Sequence, residues 1–313
     1  MIKDVKEMRI VFMGTPDFAV AILDRLVSEG CKVVGVITAP DKPAGRGMQL
    51  TPSAVKKYAL EKGLYILQPP KLKDPEFLEE LRALKADVQV VVAFRMLPEV
   101  VWDMPPMGTI NLHGSLLPKY RGAAPINWAI INGEKETGIT TFKLQHVIDT
   151  GDILMRQVIP IREDENAGEL HDEMKMLGAD LVFRTLQQYG EGTLKPFPQE
   201  DLGDPALLPS APKIHTETCR IEWNAPVFAV YNLIRGLSPY PGAFTHLDGK
   251  MLKIFKAEVQ TEAHHVAPGS YETDGKTQLR FAATDGWLNL KEIQLEGKKR
   301  MPIGDFLRGH RFQ

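Results

Sequence analysis

Short, β-branched apolar runs alternate with longer amphipathic stretches over the first 190 residues. This alternation is typical of βα units around a mostly parallel sheet. The predicted strands cover residues 9–13, 32–38, 87–94, 109–113, 138–145 and 153–161. The predicted helices cover residues 18–29, 52–62, 75–84, 124–132 and 167–189. We therefore expect an α/β domain with a mostly parallel sheet over residues 1–191.

The periodic pattern stops between residues 192 and 218, where prolines recur at positions 196, 198, 205, 209 and 212. Such a stretch predicts a linker. Beyond it, the pattern indicates a helix over 225–236 and short strands over 242–247, 251–259, 278–283 and 287–294. Strands of this length and spacing, separated by Asp-Gly and Pro-Gly turns, predict a small β-barrel over residues 219–313.

Composition and charge add limited information about partners. The net charge of −2 is not that of a typical nucleic-acid binder, although residues 211–313 carry 14 Lys and Arg against 11 Asp and Glu. The two cysteines, Cys31 and Cys219, lie far apart and outside any Cys-x-x-Cys spacing, so neither a disulfide framework nor structural zinc is expected. The charged N-terminal residues and the lack of a spanning apolar run predict a cytoplasmic protein without a membrane partner.

The first predicted strand ends in a single glycine, Gly14, within Met-Gly-Thr-Pro-Asp. A dinucleotide-binding turn needs two or three glycines for its tight geometry and for close approach to the pyrophosphate. A nicotinamide cofactor is therefore not expected. A tight turn and a substrate contact remain the two interpretations of this segment.

Candidate chemistry begins at the end of the predicted strand 109–113. Asn111 and His113 are two positions apart, so both side chains would lie on one side of the sheet at its carboxyl edge, where open α/β folds bind ligands. Taken alone, the pair is also compatible with hydrogen bonds in a turn. A third candidate, Asp149, lies in an Asp-Thr-Gly-Asp loop between two later predicted strands.

Together the three side chains fit acyl transfer to nitrogen. When an amine attacks a carbonyl, negative charge grows on the oxygen, and a carboxamide and an imidazole can stabilise it. The carboxylate can hold the tautomer of the imidazole and raise its pKa, or accept the surplus amine proton through water. Ser115 is close to His113 but outside any Gly-x-Ser-x-Gly motif, so the pattern does not favour a serine hydrolase.

Two longer motifs carry a family resemblance. Residues 111–122 (NLHGSLLPKYRG) and 149–154 (DTGDIL) resemble the folate-dependent formyltransferase superfamily, which includes enzymes that act on glycinamide ribonucleotide and on sugar nucleotides. Four further segments resemble the branch that acts on methionyl-tRNA: MGTPDFA at 13–19, TAPDKPAGRG at 38–47, GAAPI at 122–126 and GKKRM at 297–301. The resemblance extends along nearly the whole chain.

The resemblance implies a fold, a reaction and a set of site residues. It implies a Rossmann-like catalytic domain, an OB-like barrel that binds tRNA, and transfer of a formyl group from 10-formyltetrahydrofolate to the amino group of methionyl-initiator tRNA without a metal. The catalytic positions would be Asn111, His113 and Asp149. The folate pocket would be formed by Phe94, Arg95, Met96, Leu97, Ser115, Leu116, Leu117 and Pro118. Contacts with tRNA would come from Arg46, Lys298, Lys299 and Arg300.

Two alternatives share parts of this pattern. An enzyme that formylates an amino sugar on a nucleotide would use the same catalytic residues and would differ at the loop 39–50 and at the basic turn 298–300. A binding module that kept the fold and lost catalysis is disfavoured by the intact Asn111, His113 and Asp149. We expect the protein to act as a monomer.

Overall fold

The structure is a computed structural model that describes residues 3–44 and 49–312. The chain forms two compact units. Unit 1 comprises Met1–Arg121, Gly138–Ile159 and His171–Pro209, and unit 2 comprises Gly122–Thr137, Pro160–Leu170 and Ser210–Gln313. The two units are discontinuous in sequence, whereas the expected domains were the continuous segments 1–191 and 219–313. Residues 122–137, which contain a helix, belong to unit 2, and residues 192–209 belong to unit 1.

Unit 1 is built on a seven-stranded sheet in the order β5-β2-β1-β6-β7-β8-β9. Its strands, with the small hairpin β3-β4, are β1 (Arg9–Gly14), β2 (Lys32–Ile37), β3 (Lys42–Ala44), β4 (Gln49–Thr51), β5 (Ile66–Leu67), β6 (Val88–Val92), β7 (Thr109–His113), β8 (Glu136–Lys143) and β9 (Ile153–Pro160). The five strands from β5 to β7 pair in parallel, and β8 is antiparallel to β7. The predicted α/β class and mostly parallel sheet are confirmed.

The helices of the chain are α1 (Asp17–Ser28), α2 (Ala54–Glu61), α3 (Pro75–Ala83), α4 (Glu99–Trp102), α5 (Pro125–Ile131), α6 (Ala167–Glu191), α7 (Val227–Gly236) and α8 (Ile303–Gly309). Local sequence explains where they begin. The N-caps Ser53 and Asp74 accept hydrogen bonds from the backbone N–H groups of Lys56 and Glu76. All five residues of β6 are buried, as expected for a strand covered on both faces.

Unit 2 contains an antiparallel, curled sheet in the order β10-β11-β14-β13-β12, with β15 on β14. Its strands are β10 (Ala243–Leu247), β11 (Lys250–Gln260), β12 (Tyr271–Thr273), β13 (Leu279–Ala282), β14 (Trp287–Leu295) and β15 (Met301–Pro302). The register shifts between Ile254 and Ala257 mark an irregularity in β11, and such irregularities increase bending. The inner face, which includes Leu252, Phe281 and Leu290, is buried with α7 and α8.

The elements that the periodic pattern missed are short: β3, β4, β5, β12 and β15 span two or three residues each, α4 spans four and α8 spans seven. Such runs contain at most about two turns of a helix or about one repeat of a strand, too little for a pattern to distinguish them from a loop. Over residues 3–44 and 49–312, no helix is long and apolar enough to cross a membrane.

Candidate active site

The parallel strands β6 and β7 bring two chain segments to the same edge of the sheet. Val91 pairs with Asn111 in the register of the two strands. The segment 93–97 leaves the carboxyl end of β6, and the segment 114–118 leaves that of β7. This edge is where open α/β sheets bind ligands, and it carries most of the residues that the sequence analysis singled out.

His113 is the last residue of β7, and its exposure is only 7%. The Nε2 atom lies 2.8 Å from the carbonyl oxygen of Tyr120. A carbonyl oxygen only accepts hydrogen bonds, so Nε2 must carry the proton. The Nδ1 atom faces the Asp149 carboxylate, with 3.9 Å between Nδ1 and Oδ2. In a neutral imidazole the proton therefore lies on Nε2, and Nδ1 is the ring nitrogen that faces Asp149.

Asp149 reaches His113 because its loop folds back over β8. The backbone of Asp149 is left-handed, with a φ of 55°. Two residues later, a side chain on Gly151 would overlap the carbonyl oxygen of Lys143, so only glycine allows this close approach. The backbone N–H of Lys143 also donates to the carbonyl of Asp152 at 3.1 Å. The Asp-Thr-Gly-Asp sequence is thus a turn that places a carboxylate beside the imidazole.

Asn111 is the third candidate and lies two residues before His113 on β7. Its side chain is partly exposed, and among the described residues its carboxamide forms no hydrogen bond. A carboxamide at a ligand-binding edge with unused hydrogen-bonding capacity can donate to a substrate oxygen. The structure therefore brings Asn111, His113 and Asp149 to one place.

Sequence profiles of two domain families cover most of this chain. The formyl transferase profile matches residues 8–186, and the formyl transferase C-terminal domain profile matches residues 213–311. The chain belongs to the formyltransferase family. Neither profile includes the segment 187–212, which contacts the Asp149 loop through Gln199.

Relatives within the formyltransferase family match almost the full length. A methionyl-tRNA formyltransferase from Bacteroides fragilis is 55% identical over 309 residues, which are 97% of this chain and 95% of that protein. One from Parabacteroides distasonis is 56% identical over 311 residues, 97% of this chain and 96% of that protein. Among solved structures, HypX from Aquifex aeolicus in complex with tetrahydrofolic acid has a TM-score of 0.65 at 20% identity, over 98% of this chain and 48% of that one. At that identity the structural match shows the formyltransferase fold alone.

The predicted folate residues after β6 divide into exposed and anchored side chains. Met96 is 74% exposed at the edge of the sheet. Phe94 and Leu97 pack against the buried cluster that contains Val91. The Arg95 guanidinium donates to the carbonyl oxygens of Pro69, through Nη2, and Pro70, through Nη1 at 2.9 Å, and lies 5.5 Å from the centre of the Phe94 ring. Burial lowers the pKa of Arg95.

The predicted folate residues after β7 form a tightly bonded turn. The Ser115 hydroxyl donates to the carbonyl of Lys119 at 2.6 Å, and the Thr140 hydroxyl donates to the carbonyl of Ser115 at 2.7 Å. Leu117 is fully buried in a cluster with other apolar side chains, and Pro118 is buried as well, whereas Leu116 is partly exposed above Gly138. Ser115 and Leu117 thus shape the turn, and Leu116 is the member with surface to offer a ligand.

The predicted tRNA residues of unit 2 lie in the exposed turn between β14 and β15. Lys298 and Lys299 are exposed. Arg300 pairs with Glu292, with 2.6 Å between Nη2 and Oε2, and its guanidinium carbon is 4.2 Å from the centre of the Phe255 ring. The Arg300 hydrogen bond lowers the pKa of Glu292, against the opposing effect of burial. Arg46, the remaining predicted tRNA residue, lies outside the described residues.

Two residues that the sequence analysis did not single out support the site. Thr140, in β8, bonds to the turn after β7, and Gln199, in the proline-bearing segment, bonds to the Asp149 loop. A polar residue in an apolar strand is a weak signal for Thr140, and no signal in the sequence points to Gln199. Both depend on which chain segments cross each other in the fold.

A cluster of Asp17, His171 and Asp172 on unit 1 has ligand atoms within 4.8 Å of one another. The Lys175 ammonium group lies 2.9 Å from Asp172 and 3.3 Å from Asp17. The hydrogen bonds from Lys175 and His171 lower the pKa of Asp172. An ammonium group already balances the charge that a cation would need, so this cluster is an ion-pair network on the surface.

Proposed function

We propose that this formyltransferase transfers the formyl group of 10-formyltetrahydrofolate to the free amino group of methionine on initiator tRNA, for use in translation initiation. The observation that carries the proposal is the meeting of His113, Asp149 and the unpaired carboxamide of Asn111 at one sheet edge. The identity of 55% and 56% to two methionyl-tRNA formyltransferases, over 97% of this chain, supports methionyl-tRNA as the acceptor. Translation takes place in the cytoplasm, where we place the protein as a monomer.

Asn111 and His113 act on the oxygen of the formyl group. As the amine attacks the formyl carbon, that oxygen gains negative charge, and the Asn111 N–H donates to it. Protonated Nδ1 of His113 would supply a second donor. Because Nε2 remains hydrogen-bonded to the Tyr120 carbonyl, the orientation of the imidazole ring is fixed. Donors that meet the charge only as it develops raise kcat more than they strengthen substrate binding.

The proton balance assigns a task to Asp149. The attacking amine loses one proton as the new C–N bond forms, and the nitrogen of the folate carrier gains one as its bond to the formyl carbon breaks. Asp149 lies 3.9 Å from Nδ1, so its carboxylate can orient the imidazole and accept the amine proton through water. The proton that Asp149 accepts is returned through water to the nitrogen of the folate carrier, so the transfer neither consumes nor releases a proton, and the scheme has no step that needs a metal.

The folate subsite follows from the chemistry of the edge. Folate combines a flat heteroaromatic ring with polar edges, and the edge offers both apolar surface and unused polar groups. Met96 is 74% exposed there, and Val147 and Ile148 in the Asp149 loop are 65% and 59% exposed. Their apolar surface would cover the ring, while Leu116 packs from the opposite segment and Arg95 fixes the backbone of residues 93–97.

The acceptor tRNA would contact both ends of the chain. We propose that residues 219–313 bind the tRNA through Lys298, Lys299 and Arg300. Arg46, in the loop 39–50, would be a further tRNA contact, and residues 1–191 would contain the catalytic residues. The exposed position of Lys298 and Lys299 supports phosphate contact. In the sequence, residues 192–218 join these two parts, and residues 192–209 of that segment lie within unit 1.

A comparison of acceptors tests the proposal. Formyl transfer should be efficient with charged initiator tRNA and weak with charged elongator tRNA, glycinamide ribonucleotide and an amino-sugar nucleotide. Preference for the amino-sugar nucleotide would support the principal rival and refute the tRNA assignment. Formyl-folate binding without transfer to any of the four would indicate a binding module.

A further inference from the structure

A buried glutamine in the proline-bearing segment contacts the backbone of the Asp149 loop. Gln199 is 0% exposed and begins a single 3₁₀ turn after Pro198. Its Nε2 donates to the carbonyl of Asp149 at 2.9 Å and to the carbonyl of Gly151 at 2.8 Å. Both hydrogens of the amide are therefore used on the loop that presents the carboxylate to His113.

The other end of the same carboxamide is fixed by an arginine. Gln199 Oε1 accepts hydrogen bonds from Arg121, from Nε at 3.1 Å and from Nη2 at 2.6 Å. These charge-assisted bonds determine which end of the amide faces the loop, because only the oxygen can accept from a guanidinium. Arg121 follows Tyr120, whose carbonyl is hydrogen-bonded to His113. Residues 120 and 121 therefore contact His113 directly and the Asp149 loop through Gln199.

The backbone around Gln199 is held in register with β9. Phe197 and Ile153 exchange backbone hydrogen bonds of 2.9 and 3.1 Å, and the Phe197 ring packs in the cluster of Leu117 and Ile153. Gln199, two residues further on, consequently reaches the loop that precedes Ile153. All of these contacts lie within unit 1.

The Asp149 loop contains a strained residue that such hydrogen bonds can hold in place. Asp149 has a left-handed backbone, which is strained for a non-glycine residue and persists only where surrounding contacts fix it. Another contact of the loop, between His146 Nε2 and Glu99 Oε1 at 3.1 Å, has side chains 73% and 56% exposed. Exposed pairs contribute little. The buried bonds of Gln199 are the stronger restraint.

We infer that Gln199 is a positioning residue for formyl transfer, which sets the Asp149 carboxylate against Nδ1 of His113 by fixing the carbonyls of Asp149 and Gly151. The inference rests on the catalytic roles proposed above for Asp149 and His113. It makes the segment 197–199 part of the catalytic apparatus, although that segment was expected to be a linker.

Two substitutions test the role in the full-length protein. Gln199→Ala removes all four hydrogen bonds. Gln199→Glu keeps the length and the Arg121 pair but replaces the donor by a carboxylate oxygen facing two carbonyl oxygens. Misplacement of a reacting group by about 1 Å costs about 10²-fold, so we expect both variants to lower kcat by about 10–100-fold with little change in KM for formyl-folate.

Gln89→Ala is the matched control. Gln89 is also a glutamine of unit 1 with 0% exposure, and its Oε1 accepts from the Thr109 hydroxyl at 2.9 Å, near the start of β7. Its removal should lower the melting temperature without a selective fall in kcat. If Gln199→Ala does not fold, Gln199→Glu, which retains the Arg121 pair, carries the test.

A double-mutant cycle separates the inference from the proposed function. In the Asp149→Ala background, Gln199→Ala should lower kcat less than about 2-fold further, because the carboxylate that it positions is gone. Full multiplication of the two effects, or wild-type kcat in both Gln199 variants, would overturn the inference. Wild-type kcat in Asp149→Ala would instead refute the proposed role of Asp149.

Discussion

The Nε2 atom of His113 lies 2.8 Å from the carbonyl oxygen of Tyr120. Tyr120 itself has a left-handed backbone, with a φ of 59°, and its N–H donates to the carbonyl of Pro209 at 2.7 Å. The acceptor of the imidazole is therefore fixed by the same segment that contains Gln199. Since Nε2 is used in this bond, Nδ1 is the ring nitrogen that remains for Asp149 and the substrate.

His113→Ala and His113→Gln should both abolish most of the turnover. A glutamine amide can restore the bond to Tyr120 but offers no N–H donor in the place of Nδ1. Loss of one donor to the developing oxyanion typically costs about 10²–10³-fold, so we expect kcat to fall by that factor in both variants. Steady-state kinetics with charged initiator tRNA measures it. Near-normal kcat with raised KM for formyl-folate would mean that His113 is a pocket residue.

Asn111→Ala should lower kcat by about 10²–10³-fold, since the carboxamide acts on an oxygen that is charged only in the transition state. KM for formyl-folate should change little. Asn289→Ala serves as a control, because Asn289 is an asparagine in β14 of unit 2. Equal reductions in kcat for the two variants, or an effect confined to KM, would contradict the oxyanion role.

The sequence predicted the parts of this site that follow from periodicity. The alternation within 109–113 placed Asn111 and His113 on one side of β7, and the apolar run 87–94 predicted the strand that pairs with it. The Gly in Asp-Thr-Gly-Asp is explained by the close approach of Gly151 to Lys143. These features depend on residues that are close together in the sequence, so the local pattern of residue types can predict them.

The features that the sequence did not predict depend on contacts between distant segments. Gln199 lies 50 residues from the carbonyl that it binds on Asp149, and Thr140 lies 25 residues from the carbonyl of Ser115. The Ser115 hydroxyl likewise donates to a backbone carbonyl of its own turn, that of Lys119, and a contact between Ser115 and folate stays a prediction. Nothing in a residue type specifies which carbonyl it will meet, because that is determined by the path of the chain.

Asp87→Asn should destabilise the protein near neutral pH and not in acid. Burial raises the pKa of Asp87, but hydrogen bonds from the Lys3 ammonium and the Arg9 backbone N–H, both at 2.6 Å, outweigh it and hold the pKa below its ordinary value. The lowered pKa in the folded state means that this stabilisation is present above the ordinary pKa of about 3.9 and disappears as pH falls through the folded value.

Thermal unfolding at pH 7 and at about pH 3 measures this difference. Hydrogen bonds to a charged group contribute about 1.5–3 kcal/mol, so the Asp87→Asn variant should lose up to that much unfolding free energy at pH 7 and progressively less towards pH 3. Asp103→Asn, at an exposed aspartate of the same unit, controls for the change in net charge. A deficit that persists unchanged in acid would point to an effect on packing instead of charge.

The salt dependence of tRNA binding should distinguish the three basic residues between β14 and β15. Removal of one phosphate contact reduces the slope of log affinity against log salt concentration by about 0.7–0.9. Lys298→Ala and Lys299→Ala should each flatten the slope by about that amount. Arg300→Ala should flatten it less, because Glu292 already balances the charge of Arg300. Lys276→Ala, at an exposed lysine in another turn of unit 2, should leave the slope unchanged.

Arg46 should act on the tRNA and not on folate. In the sequence it lies between β3 and β4, whose base is held by the pair of Asp41 and Lys56, 2.6 Å apart, and by Gln68, which donates to Asp41 at 2.9 Å. An arginine fork can grip a phosphate or a base edge in two places, and a lysine cannot. We therefore expect Arg46→Ala to lower kcat/KM for charged initiator tRNA strongly and Arg46→Lys to recover only part.

Folate affinity, measured by fluorescence, should hardly change in either Arg46 variant, because the predicted folate segments follow β6 and β7 and not β3. Arg184→Ala is the matched control, since Arg184 is an exposed arginine on α6. Exposed arginines of that kind contribute little, so its kinetics should match the wild type. Wild-type kcat/KM in Arg46→Ala would refute a tRNA contact at this position. It would also favour the amino-sugar nucleotide as acceptor, because a small acceptor needs no arginine contact of this kind.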